Sequence, residues 1–151
     1  MLQSDDFSLL PCTKEDISAI ASRGHFCFPP FDPTRDDDPV SLDTFFCNVV
    51  PNEGEDRFSK TYKLVENENP DDVLALASIA NSGFSFGSYE NKPADLRNTG
   101  YNEDFPSVTL LAFGVRKDCQ GQGLGSLAFK KLLQMIRESS IAGVRLLILH
   151  P

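Results

Sequence analysis

Residues 108–115 form a nearly unbroken apolar run, Val-Thr-Leu-Leu-Ala-Phe-Gly-Val, and the apolar positions that follow change period: Leu124, Leu127, Ala128, Leu132, Met135 and Ile136 recur at helical spacing. That switch predicts a central strand, a turn and an amphipathic helix that stops near Gly143. Residues 144–149 are again almost continuously apolar, the pattern of a strand covered on both faces. A second strand parallel to the first is expected there, joined to it by the helix as a right-handed crossover.

Upstream the elements are shorter. Residues 7–10 read as a strand, and Thr13 then caps a helix, with Asp16 placed to complete a capping box and Ile17, Ile20 and Ala21 on the apolar side. Gly24 suits the helix C-cap, and the aromatic and proline-rich residues 25–31 suit only an irregular, partly buried segment. Ser41 caps a second helix over residues 41–50, whose face is Leu42, Phe45, Phe46 and Val49 and whose end is Pro51. Residues 61–65 form a strand, residues 67–71 have turn composition, and residues 73–80 are read as the paired strand although their leucines and alanines would also suit a helix. Residues 82–87 continue or bulge that strand, and residues 89–106 are a polar, proline-punctuated loop. The predicted order is therefore strand, two helices, three strands, helix, strand, within one domain over residues 1–151.

Charge and composition narrow the function. The net charge of −8 hides an asymmetry: residues 1–106 hold eight Lys/Arg against twenty Asp/Glu, whereas residues 107–151 hold six against two. Arg116, Lys117, Lys130 and Lys131 lie near the polar turn, as expected where a polyanion docks, although Lys130 and Lys131 also suit a solvated helix face. The acidic remainder argues against wide nucleic-acid contact. No run of eighteen apolar residues occurs, and Asp5 and Asp6 stand where a secretory signal would be basic, so a cytoplasmic protein without membrane contact is expected. Cys12, Cys27, Cys47 and Cys119 form no Cys-x-x-Cys pair and read as reduced structural thiols, with no metal site. His25 and Cys27 lack an orienting Asn or Asp nearby, and the acidic residues 32–39 lack the glycine and glutamate of a calcium loop.

The chemistry lies in the turn, Arg-Lys-Asp-Cys-Gln-Gly-Gln-Gly-Leu-Gly over residues 116–125. A helix that opens from glycines presents unpaired N–H groups and a positive dipole end, which together bind phosphate. Gly121, Gly123 and Gly125, lacking Cβ, are expected to take positive φ and to let phosphate oxygens come close. A P-loop needs Gly-Lys-Ser/Thr, and Gly125 is followed by Ser126 and Leu127. A dinucleotide fold wants Gly-x-Gly-x-x-Gly and an acidic residue closing the next strand; here the spacing is Gly-x-Gly-x-Gly and the next strand ends in His150 and Pro151. A turn that merely connects strand to helix stays open as a further reading, beside a coenzyme A site.

The turn and the element order together resemble the GNAT N-acetyltransferases, whose motif Arg/Gln-x-x-Gly-x-Gly/Ala is matched in register by Gln120, Gly123 and Gly125. Phe31-Asp32, Leu42-Asp43-x-Phe45-Phe46, Ser59-Lys60-Thr61-Tyr62, Phe105-Pro106-Ser107-Val108 and Ile141-Ala142-Gly143-Val144-Arg145 are similar to the branch that serves as toxins of bacterial toxin–antitoxin pairs. The resemblance spans nearly the whole chain. It implies an α/β (α+β), GNAT-like acyl-CoA N-acyltransferase fold, a mixed sheet with helices on both faces, ending here after its fifth strand.

Acetyl-CoA is then the expected acetyl donor. Its pantetheine arm is expected between splayed parallel strands at Phe113 and Val115, and its diphosphate on Gln120, Gly121, Gln122, Gly123, Leu124, Gly125 and Ser126. The implied reaction is acetyl transfer to a primary amine of a small molecule, a protein or aminoacyl-tRNA, with a backbone N–H near Val115 steadying the oxyanion. An antitoxin protein and a homodimer are the implied protein partners. A catalytically inactive acyl-CoA-binding or protein-interaction module is the alternative. The family places a tyrosine acid soon after the last strand, and the sequence ends at Pro151 before it, so no catalytic residue is assigned. The toxin branch carries an Arg in the central strand where this sequence has Ala112, and the strand at residues 144–149 is expected to need a covering hairpin.

Overall fold

A computed structural model describes residues 2–23, 59–85, 94, 104–139 and 146–149. Strands β1 (Phe7–Pro11), β2 (Ser59–Glu66), β3 (Asn69–Ser85), β4 (Asp104–Val115) and β5 (Leu146–Leu149) form one sheet in that order. Helix α1 (Lys14–Arg23) follows β1, and helix α2 (Leu124–Ser139) links β4 to β5. Each neighbouring pair is antiparallel except β4 and β5, which run parallel from Ser107↔Leu146 to Leu110↔Leu149. The mixed sheet and the parallel β4–α2–β5 unit are those expected from the sequence.

Two apolar clusters sandwich the sheet. Ile17 and Ile20 of α1 pack with Cys12, Val73, Leu76 and Ala112. Leu124 and Ala128 of α2 pack with Phe7, Leu64, Leu74, Ala75 and Cys119, and Leu9, Phe113, Val115 and Leu127 lean on them. Consecutive strand residues point to opposite faces, so the split between Ala75 and Leu76, and between Ala112 and Phe113, puts α1 and α2 on opposite sides. This explains the helix-like reading of residues 73–80. All five residues 73–77 are buried, so the period-two signal is erased. Leu64, Leu76 and Leu132 are at most 1% exposed, and burial of such side chains contributes roughly 1.5–3 kcal/mol each.

On the α1 side the sheet also carries hydroxyls, by alternation from Leu76. Thr61 bonds Ser78, and the Ser82 hydroxyl bonds Thr109 at 2.7 Å and Ser107 at 3.0 Å. Among the described residues no buried side-chain nitrogen or oxygen lacks a partner. No helix among them is long and apolar enough to cross a membrane.

Several boundaries differ from the sequence reading. The turn between β2 and β3 is only Asn67 and Glu68; its Asn67 N–H donates to the Asp6 carbonyl at 2.8 Å and its side-chain amide to the Asp5 carbonyl at 2.8 Å. β4 begins at Asp104, inside the segment read as loop, because Phe105 is fully buried and Pro106 lies just before pairing with β5 starts at Ser107. β3 does continue through residues 82–85. The helix over residues 41–50, Gly24, residues 25–39, Gly143 and residues 144–145 lie outside the described residues.

The start of α1 is fixed as predicted. Asp16 N–H donates to Thr13 Oγ1 at 3.1 Å, Thr13 N–H donates to Asp16 Oδ2 at 2.8 Å, and Lys63 Nζ reaches Asp16 Oδ1 at 2.9 Å. Partial burial pushes the Asp16 carboxyl up, but the bonds from Thr13 and Lys63 outweigh it and hold it below the usual value. Its contribution is therefore complete above the ordinary carboxylate pKa and is lost as pH falls through the lowered folded-state value. Asp16→Ala should cost about 1 kcal/mol at neutral pH, and the gap to wild type should narrow in urea melts at about pH 3; a gap independent of pH would contradict this.

Candidate functional site

β4 delivers the chain to the turn with a kink already in place. Ser78 lies opposite Ala112 and Ile79 opposite Leu110, so Leu111 is an extra residue, a β-bulge on β4. Leu111 is 44% exposed. It also follows Leu110, the last β4 residue paired with β5. The described part of β5 ends at Leu149, the partner of Leu110, so the bulge lies one residue past the described β4–β5 pairing. No sequence signal marks the bulge, because Leu-Leu-Ala-Phe over residues 110–113 is apolar throughout.

Phe113 and Val115, the positions expected to line the acyl carrier, are half-buried and face α2, where the Phe113 ring meets Phe129 edge-on at 6.4 Å. Ala112 is buried on the α1 side, against Ile17 and Ile20. Of the two neighbours, Leu111 rather than Ala112 is the exposed position.

After β4 the chain makes a 3-10 turn, Lys117–Cys119, closed by Cys119 N–H donating to the Arg116 carbonyl at 2.9 Å. Gln120 folds back and donates from Nε2 to the Val115 carbonyl at 3.1 Å. Gly121 and Gly123 then take φ of 79° and 84°, and α2 starts at Leu124. The first amide satisfied is that of Leu127, by the Gly123 carbonyl at 3.1 Å. Among the described residues no carbonyl accepts from the N–H groups of residues 121–126. Gln120, Gly121, Gln122, Gly123 and Ser126 are exposed; Leu124 is buried and offers only its main chain.

The three glycines differ in conformation. Gly121 and Gly123 occupy the left-handed region, as expected. Gly125 does not; it is helical, and a Cβ there would lie 3.4 Å from Val115 Cγ2 and 3.9 Å from Phe113 Cε1, ordinary van der Waals contact. Its helical conformation corrects the expectation of a third positive φ, and an alanine would fit in its place. A Cβ on Gly121 would meet nothing within 4 Å, and one on Gly123 would lie 3.7 Å from Leu2 Cδ1.

The electrostatics favour an anion at this helix end. The first turn of α2 holds no acidic residue, and Lys117 is exposed beside it. Arg116, expected to face a polyanion, is instead engaged by carboxylates: Asp72 on Nη1, and Asp118 on Nε at 2.7 Å. Burial works against its charge, but the two carboxylates more than compensate and raise its pKa. Asp118 is correspondingly lowered by its bond from Arg116. Burial pushes the Cys119 thiol up, which keeps it protonated and makes it a packing residue. Asp72, forty-four residues from Arg116, was invisible to sequence spacing. Among the described residues no three His, Cys, Asp or Glu side chains are placed to hold a metal ion.

The unpaired amides and the two left-handed glycines, with the neighbouring Asp72 and Asp118 both paired to Arg116, fit a diphosphate. The half-buried Phe113 and Val115 at the end of β4 fit an apolar arm leading from it. No protein-family model matches this sequence, and no curated protein does. Solved structures do match. A tyrosine-to-phenylalanine mutant of KacT superposes with a TM-score of 0.64 at 19% identity, over 95% of this chain and 77% of that one. AtaT complexed with acetyl-methionyl-tRNAfMet gives 0.63 at 19% identity, over 95% and 77%. A tyrosine-to-phenylalanine mutant of the AtaT toxin bound to the C-terminus of the antitoxin AtaR and acetyl-CoA gives 0.58 at 19% identity, over 96% and 75%. This chain shares the fold of these structures, the GNAT-like fold expected from the sequence.

The glycines give a direct check. Gly121→Ala should destabilise by about 1–2 kcal/mol, because a Cβ must then enter the left-handed region. Gly125→Ala should be neutral or stabilising by up to about 1 kcal/mol, from helix propensity. Thermal melts of both variants test the assignment, and equal losses would contradict it.

Proposed function

We propose that this chain is an acetyl-CoA-dependent N-acetyltransferase of the toxin type, with the amino group of aminoacyl-tRNA as the acceptor class. The observation that carries this reading is the row of unpaired amides over residues 121–126, set between the end of β4 and the start of α2. The neighbouring fold in complexes with acetyl-CoA and with acetyl-methionyl-tRNAfMet supports it. An antitoxin that binds this chain belongs to the same reading, by likeness to AtaT with AtaR.

Bound acetyl-CoA supplies an acetyl group already activated as a thioester. The amides of residues 121–126 and the α2 dipole hold the diphosphate, while Phe113 and Val115 give the pantetheine arm an apolar wall. Backbone N–H groups of β4 near Val115 are the donors available to the oxyanion that forms as the amine attacks. The amine reacts only when deprotonated, so the rate should rise with pH. Gln120 keeps the Val115 carbonyl engaged and so fixes the peptide plane at the end of β4.

Calorimetric titration with acetyl-CoA should give saturable binding, and Gly123→Glu, which puts a carboxylate at the anion site, should weaken it at least about tenfold. Thiol release with a panel of amines that includes charged tRNA should then identify the acceptor. Stabilisation by coenzyme A without thiol release would favour an inactive binding module, and no binding at all would overturn the reading.

A further inference from the structure

Arg116 joins two parts of the structure that are distant in sequence. Its N–H donates to the Leu74 carbonyl at 2.9 Å, its Nη1 reaches Asp72 and the Val73 carbonyl, and its Nε reaches Asp118 Oδ1 at 2.7 Å. The register between β2 and β3 shifts beside this point, pairing Leu64 with Ala75 and Val65 with Val73, so Leu74 is the extra residue of a second bulge. Arg116 therefore anchors the turn to β3 by main chain and side chain together. Its side chain is only 11% exposed, against 35% for Asp72 and 69% for Asp118.

This geometry conflicts with the simplest role for a cation beside a phosphate turn. A guanidinium committed to two carboxylates has little capacity left for a ligand, and of those carboxylates Asp118 stands only three residues before Gly121. Left unpaired, Asp72 and Asp118 would set two negative charges near the entrance to residues 121–126 and oppose the helix dipole.

We propose that the side chain of Arg116 is a positioning group that masks Asp72 and Asp118, while its main-chain bond to Leu74 keeps the turn docked on β3, so that the amides of residues 121–126 meet an anion without carboxylate repulsion. The inference rests on the diphosphate reading of the turn. It assigns Arg116 no contact with the ligand. The acids are tolerable near an anion site only while they are paired.

The experiment compares coenzyme A with S-acetylpantetheine, which lacks phosphate, on the full chain. Arg116→Met should weaken coenzyme A binding about tenfold, as expected for two partly exposed charges unmasked at short range, and should leave S-acetylpantetheine binding within about twofold. The triple variant Arg116→Met/Asp72→Asn/Asp118→Asn should recover most of the coenzyme A affinity, and Arg116→Lys should lie between wild type and Arg116→Met. In turnover, the KM for acetyl-CoA should rise in Arg116→Met with little change in kcat. Should Arg116→Met fail to fold, Asp72→Asn/Asp118→Asn provides the converse test: with Arg116 unmasked, coenzyme A should bind severalfold more tightly. A triple variant as weak as Arg116→Met, equal losses for both probes, or a double variant that binds coenzyme A no better than wild type would overturn the inference. Failure of the unaltered chain to bind coenzyme A would overturn the proposed function, whereas binding with no response to these variants would overturn this inference alone.

Discussion

A set of backbone N–H groups with no acceptor is costly to hide and useful to expose, and the chain between β4 and α2 is built to expose one. Six consecutive amides over residues 121–126 are left without a main-chain partner among the described residues. They stay in place because neither flank can move freely. On one side Arg116 fastens the turn to β3, and on the other Leu124, Ala128 and Leu132 bury α2 against the sheet. Exposed to solvent, such a row is satisfied by water or by an anion, and the positive end of the helix dipole favours the anion.

The two faces of the sheet divide the work. The α2 face carries the cluster that sets the turn, in which Leu124 and Ala128 pack with Phe113 and Val115 leaning on them. The α1 face carries Ala112, the capping box and the hydroxyl pairs of β2, β3 and β4. Bulges at Leu74 and Leu111 adjust the strands where those tasks meet. One supplies a carbonyl to Arg116, and the other bends β4 as it approaches the turn.

Much of this was legible in sequence, for identifiable reasons. The capping box at Thr13 and Asp16 is a local signal, and local signals survive folding. The period of α2 was read correctly because only one side of that helix is covered. Residues 73–80 were ambiguous because burial on both faces removes alternation, and residues 104–106 were read as loop because Pro106 was taken as punctuation when it sits inside β4. Spacing alone cannot tell a glycine at positive φ from one inside a helix, so Gly125 is not separable from Gly121 and Gly123 in the sequence. The sequence shows Arg116 only as a cation near the turn, because its carboxylate partner on β3 is brought beside it by the sheet. The bulge at Leu111 leaves no trace in an apolar run.

The account stands on the amides of residues 121–126 receiving a diphosphate. Amide NMR spectra of the isotope-labelled chain titrated with coenzyme A measure that directly. The account predicts that the resonances of Gly121, Gln122, Gly123, Leu124, Gly125 and Ser126 shift most and saturate together, with those of β1 and the β2–β3 turn little changed. Saturable binding that leaves these six resonances in place and moves others would contradict it.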